Sequence, residues 1–210
     1  EGQTWRHNEF VDGLIAAYNI ITVNNQLYVY EDGYYQQDEK IIERKMIELY
    51  PGIKQSQRTE VLAYIRIKTH VHSGDLEVNP YIINLKNTRL DIRTGACVDF
   101  TPTAIEFDRI PVVYDPSVYC SDVDKVLNKV FLGDRDLIDL FEEMVGTCLL
   151  KTCRYQKAFM MVGGGSNGKS TILNMLKALL GNRNYSSIAL EKVTDRFSVA
   201  ELENKLANIG

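Results

Sequence analysis

Cysteine is scarce in this chain, and the four that occur, Cys97, Cys120, Cys148 and Cys153, lack the paired spacing of zinc ligands. That excludes a disulfide-stapled scaffold and a zinc module, and Cys148 and Cys153 read as reduced thiols near the end of an apolar helix. Long apolar runs are missing too. None approaches the roughly 20 residues of a membrane span, so no membrane partner is expected, and the reduced cysteines suit a cytoplasmic compartment. Nor is there a basic excess: 24 Lys and Arg face 28 Asp and Glu, for a net charge of −4. A surface coated in positive charge for nucleic acid is thereby excluded, and any such binding must use local patches or a ring of subunits. Histidine is rare as well. His70 and His72 alternate on a strand-like stretch with no third ligand close in sequence, which reads as ordinary surface rather than a metal site.

What is present is the composition of a globular protein: 210 residues, 45% hydrophobic and 25% charged. That length suits one large domain or two small ones. The chain opens on Glu1 rather than Met, and a piece of a longer protein is expected.

The N-terminal half alternates helix and strand patterns. Phe10, Val11, Leu14, Ile15 and Tyr18 recur at helical spacing. Gln26 to Tyr30 and Tyr34 to Gln36 flank Asp32-Gly33, a hairpin signal. Asp38 caps a helix carrying Ile42, Met46 and Leu49 on one face, and Val61, Leu62 and Ile65 mark another. The tyrosines Tyr28, Tyr30, Tyr34 and Tyr35 suit either strand packing or base stacking. From Tyr81 to Phe100 a three-stranded meander is expected, with turns near Lys86-Asn87-Thr88 and Arg93-Thr94-Gly95. Lys86, Arg89 and Arg93 read as solvated edge charges of that sheet, with a basic edge that touches phosphate as the alternative. Ile110 to Pro116 is an extended, proline-bracketed linker. Ser121-x-x-Asp124 resembles a capping box, and the next helix has Leu137, Phe141, Met144 and Cys148 as its stripe, widened by Ile138, Leu140 and Val145. The acids Asp136, Asp139, Glu142 and Glu143 read as its solvated face.

The sharpest signal follows. Gly163-Gly164-Gly165-Ser166-Asn167-Gly168-Lys169-Ser170 fits the phosphate-binding pattern G-x-x-x-x-G-K-[ST]. Ala158 to Val162, an unbroken apolar run, reads as a parallel strand buried on both faces. Ile172, Leu173, Met175, Leu176, Leu179 and Leu180 mark the helix beyond, which Gly181 ends. Glycines at Gly163 and Gly168 let backbone amides approach phosphates without a side chain in the way, and the helix adds its positive end. The expected nucleotide-binding set is Gly163, Gly164, Gly165, Ser166, Asn167, Gly168, Lys169, Ser170 and Thr171. Lys169 is the catalytic candidate, reaching the β- and γ-phosphates of ATP, and the Ser170 hydroxyl is the candidate Mg2+ ligand. Past the helix, Thr194 to Ser198 reads as a polar loop, Ala200 to Lys205 as a short helix, and Leu206 to Ile209 as the start of a second core strand.

These features in order carry a family resemblance. Asn84-Leu85 and Asn87, then Leu90-Asp91 and Thr94-Gly95, then Ile110-Pro111 with Tyr114-Asp115-Pro116, the helix Leu137 to Gly146, and Asn167 before Gly168-Lys169-Ser170 resemble the C-terminal half of a phage or plasmid primase-helicase. So do Arg196-Phe197 and Leu206 to Ile209. The ATPase of that family is a superfamily 3 helicase, and the poxvirus primase-helicase belongs to the same broad group. Thr88 departs from the Gly common at its hairpin, and the second acidic motif would begin just past Ile209, so the expected piece hydrolyses ATP poorly or not at all. The resemblance implies an α/β protein in three parts. Residues 1–108 form a small α+β module, 109–155 a linker and helical collar, and 156–210 the beginning of a P-loop NTPase (AAA+-like) parallel sheet, incomplete at the C-terminus. It also implies an ATP-dependent DNA helicase in the parent protein, with single-stranded or forked DNA as partner. Self-association into a hexameric ring and action in a bacterial host cytoplasm come with it. Two other readings stay open: a P-loop small-molecule kinase, and a DNA- or partner-binding module with an inactive loop.

Overall fold

Two turns organise the first sheet. Asn24-Asn25 and Asp32-Gly33 all sit at positive φ, the condition for the tight hairpin turn whose twist matches its strands. They join three antiparallel strands, β1 (Ile20–Val23), β2 (Gln26–Glu31) and β3 (Tyr34–Gln36). Gly33 is required twice over, since a Cβ there would lie 2.6 Å from the Phe100 ring. The Asp32-Gly33 hairpin is as expected, whereas β1 and its asparagine turn escaped the reading of the sequence.

The computed structural model describes residues 7–152, 154–192, 200–202 and 204–209. The chain divides into two units. The first takes the residues up to Val78 together with Phe100–Phe107, and the second takes Asn79–Asp99 and everything from Asp108 on.

In the first unit, helices α1 (His7–Tyr18), α2 (Glu39–Leu49) and α3 (Gln55–Lys68) cover one face of the sheet. Val11 and Leu14, Ile41, Ile42 and Met46, and Val61, Leu62 and Ile65 bury against Ile20, Leu27 and Val29. The Asp38 side chain accepts from the Lys40 amide at 2.9 Å, the cap that starts α2. Leu49 does not join the α2 stripe: it is exposed, and Ile41 takes the inward position. On the sheet's other face Tyr28, Tyr35 and Val23 pack with Ile105 and Phe107. Tyr28 lies edge-on to Phe107, and Tyr35 donates to the Pro102 carbonyl at 2.8 Å. Buried rings of this kind offer no face for base stacking, so Tyr28 and Tyr35 serve the core.

The second unit opens with the expected meander, β4 (Ile82–Asn84), β5 (Arg89–Asp91) and β6 (Ala96–Val98), all antiparallel. Ile110 to Tyr114 is tied to it rather than left as a free tether. Ile110 donates to the Asn84 carbonyl, Lys86 donates to the Val112 carbonyl, and Asn87 brackets Tyr114 through both amide atoms. Arg89 is buried with Nη1 on the Asp99 carbonyl at 3.2 Å, and Arg93 pairs with Asp91. Of the three expected edge charges, only Lys86 and Arg93 stay on the surface.

Helices α4 (Ser121–Val130), α5 (Arg135–Cys148) and α6 (Lys169–Leu180) share a core of Leu127, Ile138, Phe141, Met144, Ile172, Leu176 and Leu180. Ser121 does not cap α4, whose cap position is Cys120. The α5 stripe is rotated from the expected one: Ile138 is buried while Leu137 and Leu140 are half-exposed. Arg135 answers the α5 acids, reaching Asp139 at 2.7 Å and Glu142 at 3.8 Å. Gly181, at φ 78°, ends α6, and a Cβ there would strike Pro111 at 2.7 Å.

Among the described residues, one pair of strands runs parallel: β7 (Tyr185–Ser186) and β8 (Ala207–Asn208). The Asn208 amide extends this ladder by bonding both the N–H and the carbonyl of Ile188. Ala200–Leu202 is a single 3₁₀ turn in place of the expected helix. Ala158 to Val162, expected as a buried strand, is not one. It pairs with no neighbour among the described residues, and Met160 and Val162 are each 85% exposed. A strand is held by ladder partners, and none of the described segments offers it an edge. Cys153 and the segment Thr194 to Ser198, with Arg196 and Phe197, lie outside the described residues.

Candidate functional site

The glycine-rich segment wraps the start of α6. Gly165, Ser166 and Gly168 adopt positive φ (81°, 48° and 85°), which bends the chain around the helix end. Gly168 is the residue before α6, in the left-handed region, and a Cβ on it would meet Val130 Cγ2 at 2.5 Å. It therefore has to be glycine both for its backbone and for its neighbour.

No N–H from Gly164 to Thr171 donates to a protein acceptor among the described residues. This is the expected state of a helix's first turn, and the loop extends the row of unused donors upstream. Backbone donors in a concavity at the positive end of a helix suit an anion. Lys169 lies over the same segment. Its Nζ donates to the Gly163 carbonyl and to Asn167 Oδ1, each at 2.9 Å. Ser170, the second residue of α6, is exposed. The structure thus gathers Gly163 to Ser170 at one helix end, with the lysine drawn across the loop, and Thr171 sits within the first turn. The glycine cradle, the unused amides and the ammonium fit the phosphate end of a nucleotide, and a hydroxyl at Ser170 fits a magnesium ligand. Among the described residues, no cluster of three or more His, Cys, Asp or Glu side chains offers a further metal site.

A cavity of about 360 Å³ adjoins the loop. Phe131, Phe141, Met144, Phe159 and Met161 line it, and Asn167 and Lys169 reach its rim.

Three basic residues ahead of the loop have separate fates. Lys151 is buried against Asp108 at 3.2 Å. Arg154 places Nη1 on the Tyr81 hydroxyl at 3.0 Å and its guanidinium 5.3 Å from the Tyr155 ring. Arg93 sits over the other side of the set, 5.0 Å from the Tyr81 ring. Lys157 is exposed. Sequence reading did not find the Arg93–Tyr81–Arg154–Tyr155 group, because its members lie far apart in the chain and meet only through the meander. His70 and His72 contact each other edge-on at 4.8 Å and are exposed. Burial pushes the Cys148 thiol above its ordinary value.

Comparison with known proteins adds three findings. Residues 1–132 match the family described as D5 N terminal like. Residues 161–210 match a family of unknown function (DUF5906). A protein of Acanthamoeba polyphaga mimivirus, named as a helicase, is 24% identical over 129 residues. That match takes in 59% of this chain and 13% of the relative.

Proposed function

Because the chain belongs to the D5 N terminal like family, we propose that it is the nucleotide-binding part of a primase-helicase-type replication protein. The parent protein couples ATP hydrolysis to DNA unwinding in the replication of a virus, phage or plasmid, in the cytoplasm of its host. The observation that carries this reading is the row of unused amides from Gly164 to Thr171 with the Lys169 ammonium beside it. Gly163 to Ser170 hold the triphosphate of ATP, Lys169 neutralises charge at its far end, and Ser170 ligates Mg2+. The bound metal supplies charge neutralisation across the phosphates. A parallel sheet of the P-loop NTPase kind belongs to the parent protein in this reading, and the parallel pairing of β7 with β8 is in keeping with it. The helicase name of the mimivirus relative supports the same assignment.

The partner in this reading is single-stranded or forked DNA. The Arg93–Tyr81–Arg154–Tyr155 group suits it, since an arginine that faces aromatic rings can hold a phosphate while a base stacks alongside. In this reading the full-length protein assembles as a hexameric ring, with α4 and α5 in its collar.

Two measurements test the reading. Lys169→Ala should abolish binding of a fluorescent ATP analogue while leaving the fold intact by circular dichroism. A longer protein should turn over ATP faster when single-stranded DNA is added. Phosphorylation of a nucleoside or metabolite in its place would make the protein a kinase, and unaltered nucleotide affinity in Lys169→Ala would remove the site.

A further inference from the structure

The motif G-x-x-x-x-G-K-[ST] leaves its four middle positions free, yet one of them does specific work here. We infer that Asn167 is a positioning residue: its side chain clamps the Lys169 ammonium over the loop and leaves one N–H of that ammonium for a phosphate oxygen. This inference rests on the nucleotide-binding reading of the loop.

An ammonium has three donors. Asn167 Oδ1 takes one at 2.9 Å and the Gly163 carbonyl takes a second at 2.9 Å. The other end of the Asn167 amide lies against the Gly163 Cα. A Cβ on Gly163 would fall 1.8 Å from Asn167 Nδ2 and 3.1 Å from Lys169 Nζ. A Cβ on Gly163 would therefore push the Asn167 side chain out of this position. Gly163, Asn167 and Lys169 form one interlocked unit, in which a long flexible side chain is fixed before any ligand arrives. Fixing it in advance removes the rotamer entropy that an unclamped lysine loses on binding.

The test uses the whole chain and two readouts. The first needs no nucleotide: the rate at which Lys169 is acetylated by an amine-reactive ester, followed by mass spectrometry. Asn167→Ala should speed it by about threefold or more, and Asn167→Asp, which keeps the acceptor oxygen, should hold it near the wild-type rate. The second is affinity for a fluorescent ATP analogue, which Asn167→Ala should weaken by about tenfold. Gly163→Ala should weaken it as well. The double variant Gly163→Ala with Asn167→Ala should lose less than the sum of the two single losses, because the clash with the amide disappears. Wild-type labelling and affinity in Asn167→Ala would overturn the clamp while leaving the nucleotide site standing, as would additive losses in the double variant. Tighter nucleotide binding by Asn167→Ala would also overturn it, since the contact would then compete with the ligand. A wild-type protein that binds no nucleotide would bring down this inference and the reading beneath it together.

Discussion

Lys151 and Asp108 form an ion pair in which the side chains are only 8% and 10% exposed. A pair this deep contributes mainly when one partner is taken away, because the remaining charge stays buried without compensation. Lys151→Met should cost about 3–5 kcal/mol, and Lys151→Met combined with Asp108→Leu should recover much of it. Urea midpoints of the two variants measure the difference. Tyr35 offers a second residue-scale test. Burial, and then the nearby Tyr30, raise its hydroxyl above the ordinary value near 10. A group whose folded value is raised keeps its full contribution below the unfolded value and loses it as pH climbs through the folded one. Stability should therefore hold up to about pH 10 and fall above it. Denaturant unfolding at pH 8 and pH 11 would show a smaller drop in Tyr35→Phe than in the wild type. Neither side chain announces its role in sequence. Lys151 is one of three basic residues ahead of the loop, with Arg154 and Lys157, and only the approach of Asp108, more than forty positions upstream, sets it apart.

At the scale of elements, caps and turns were the most legible features. Asp38 and Gly181 act where their residue types place them, because both satisfy or redirect backbone groups within a few positions of themselves. Asp134 caps α5 in the same way, by accepting from the amides of Asp136 and Leu137. Asp134→Ala should lower stability by about 1 kcal/mol, read from the thermal midpoint, with Asp134→Ser losing much less. The α5 face was harder. Leu137, Leu140, Ile138 and Phe141 are all apolar, so periodicity alone admits two stripes, and contact with α6 selects the one through Ile138. Ala158 to Val162 marks the limit of local reading. An apolar run gives a strand its composition, but strands exist by pairing, and pairing is decided by segments remote in sequence.

At the scale of the whole molecule, the two units have separate apolar clusters. Ile42 and Met46 belong to one, and Leu176 and Leu180 to another. Ile42→Ala and Leu180→Ala each remove a fully buried side chain and should cost about 2–5 kcal/mol. Hydrogen exchange followed by mass spectrometry should show the loss of protection confined to the unit that carries the substitution. Loss spread evenly over both units would mean that the chain unfolds as one cooperative body.

The sequence alone determined the phosphate-loop pattern, the Asp32-Gly33 hairpin, the meander from Tyr81 to Phe100 and the existence of most helices. Each of these rests on interactions within about ten positions, such as a turn's φ angles, a cap or a helical stripe. Tertiary structure decided which face of α5 turns inward, where Lys151 and Arg154 find their partners, and that the Ile110 to Tyr114 stretch is bound to the meander. It also decided that Asn167 reaches both Gly163 and Lys169. Those outcomes depend on which surfaces meet in space, and a linear pattern carries the residue types for such meetings without the distances.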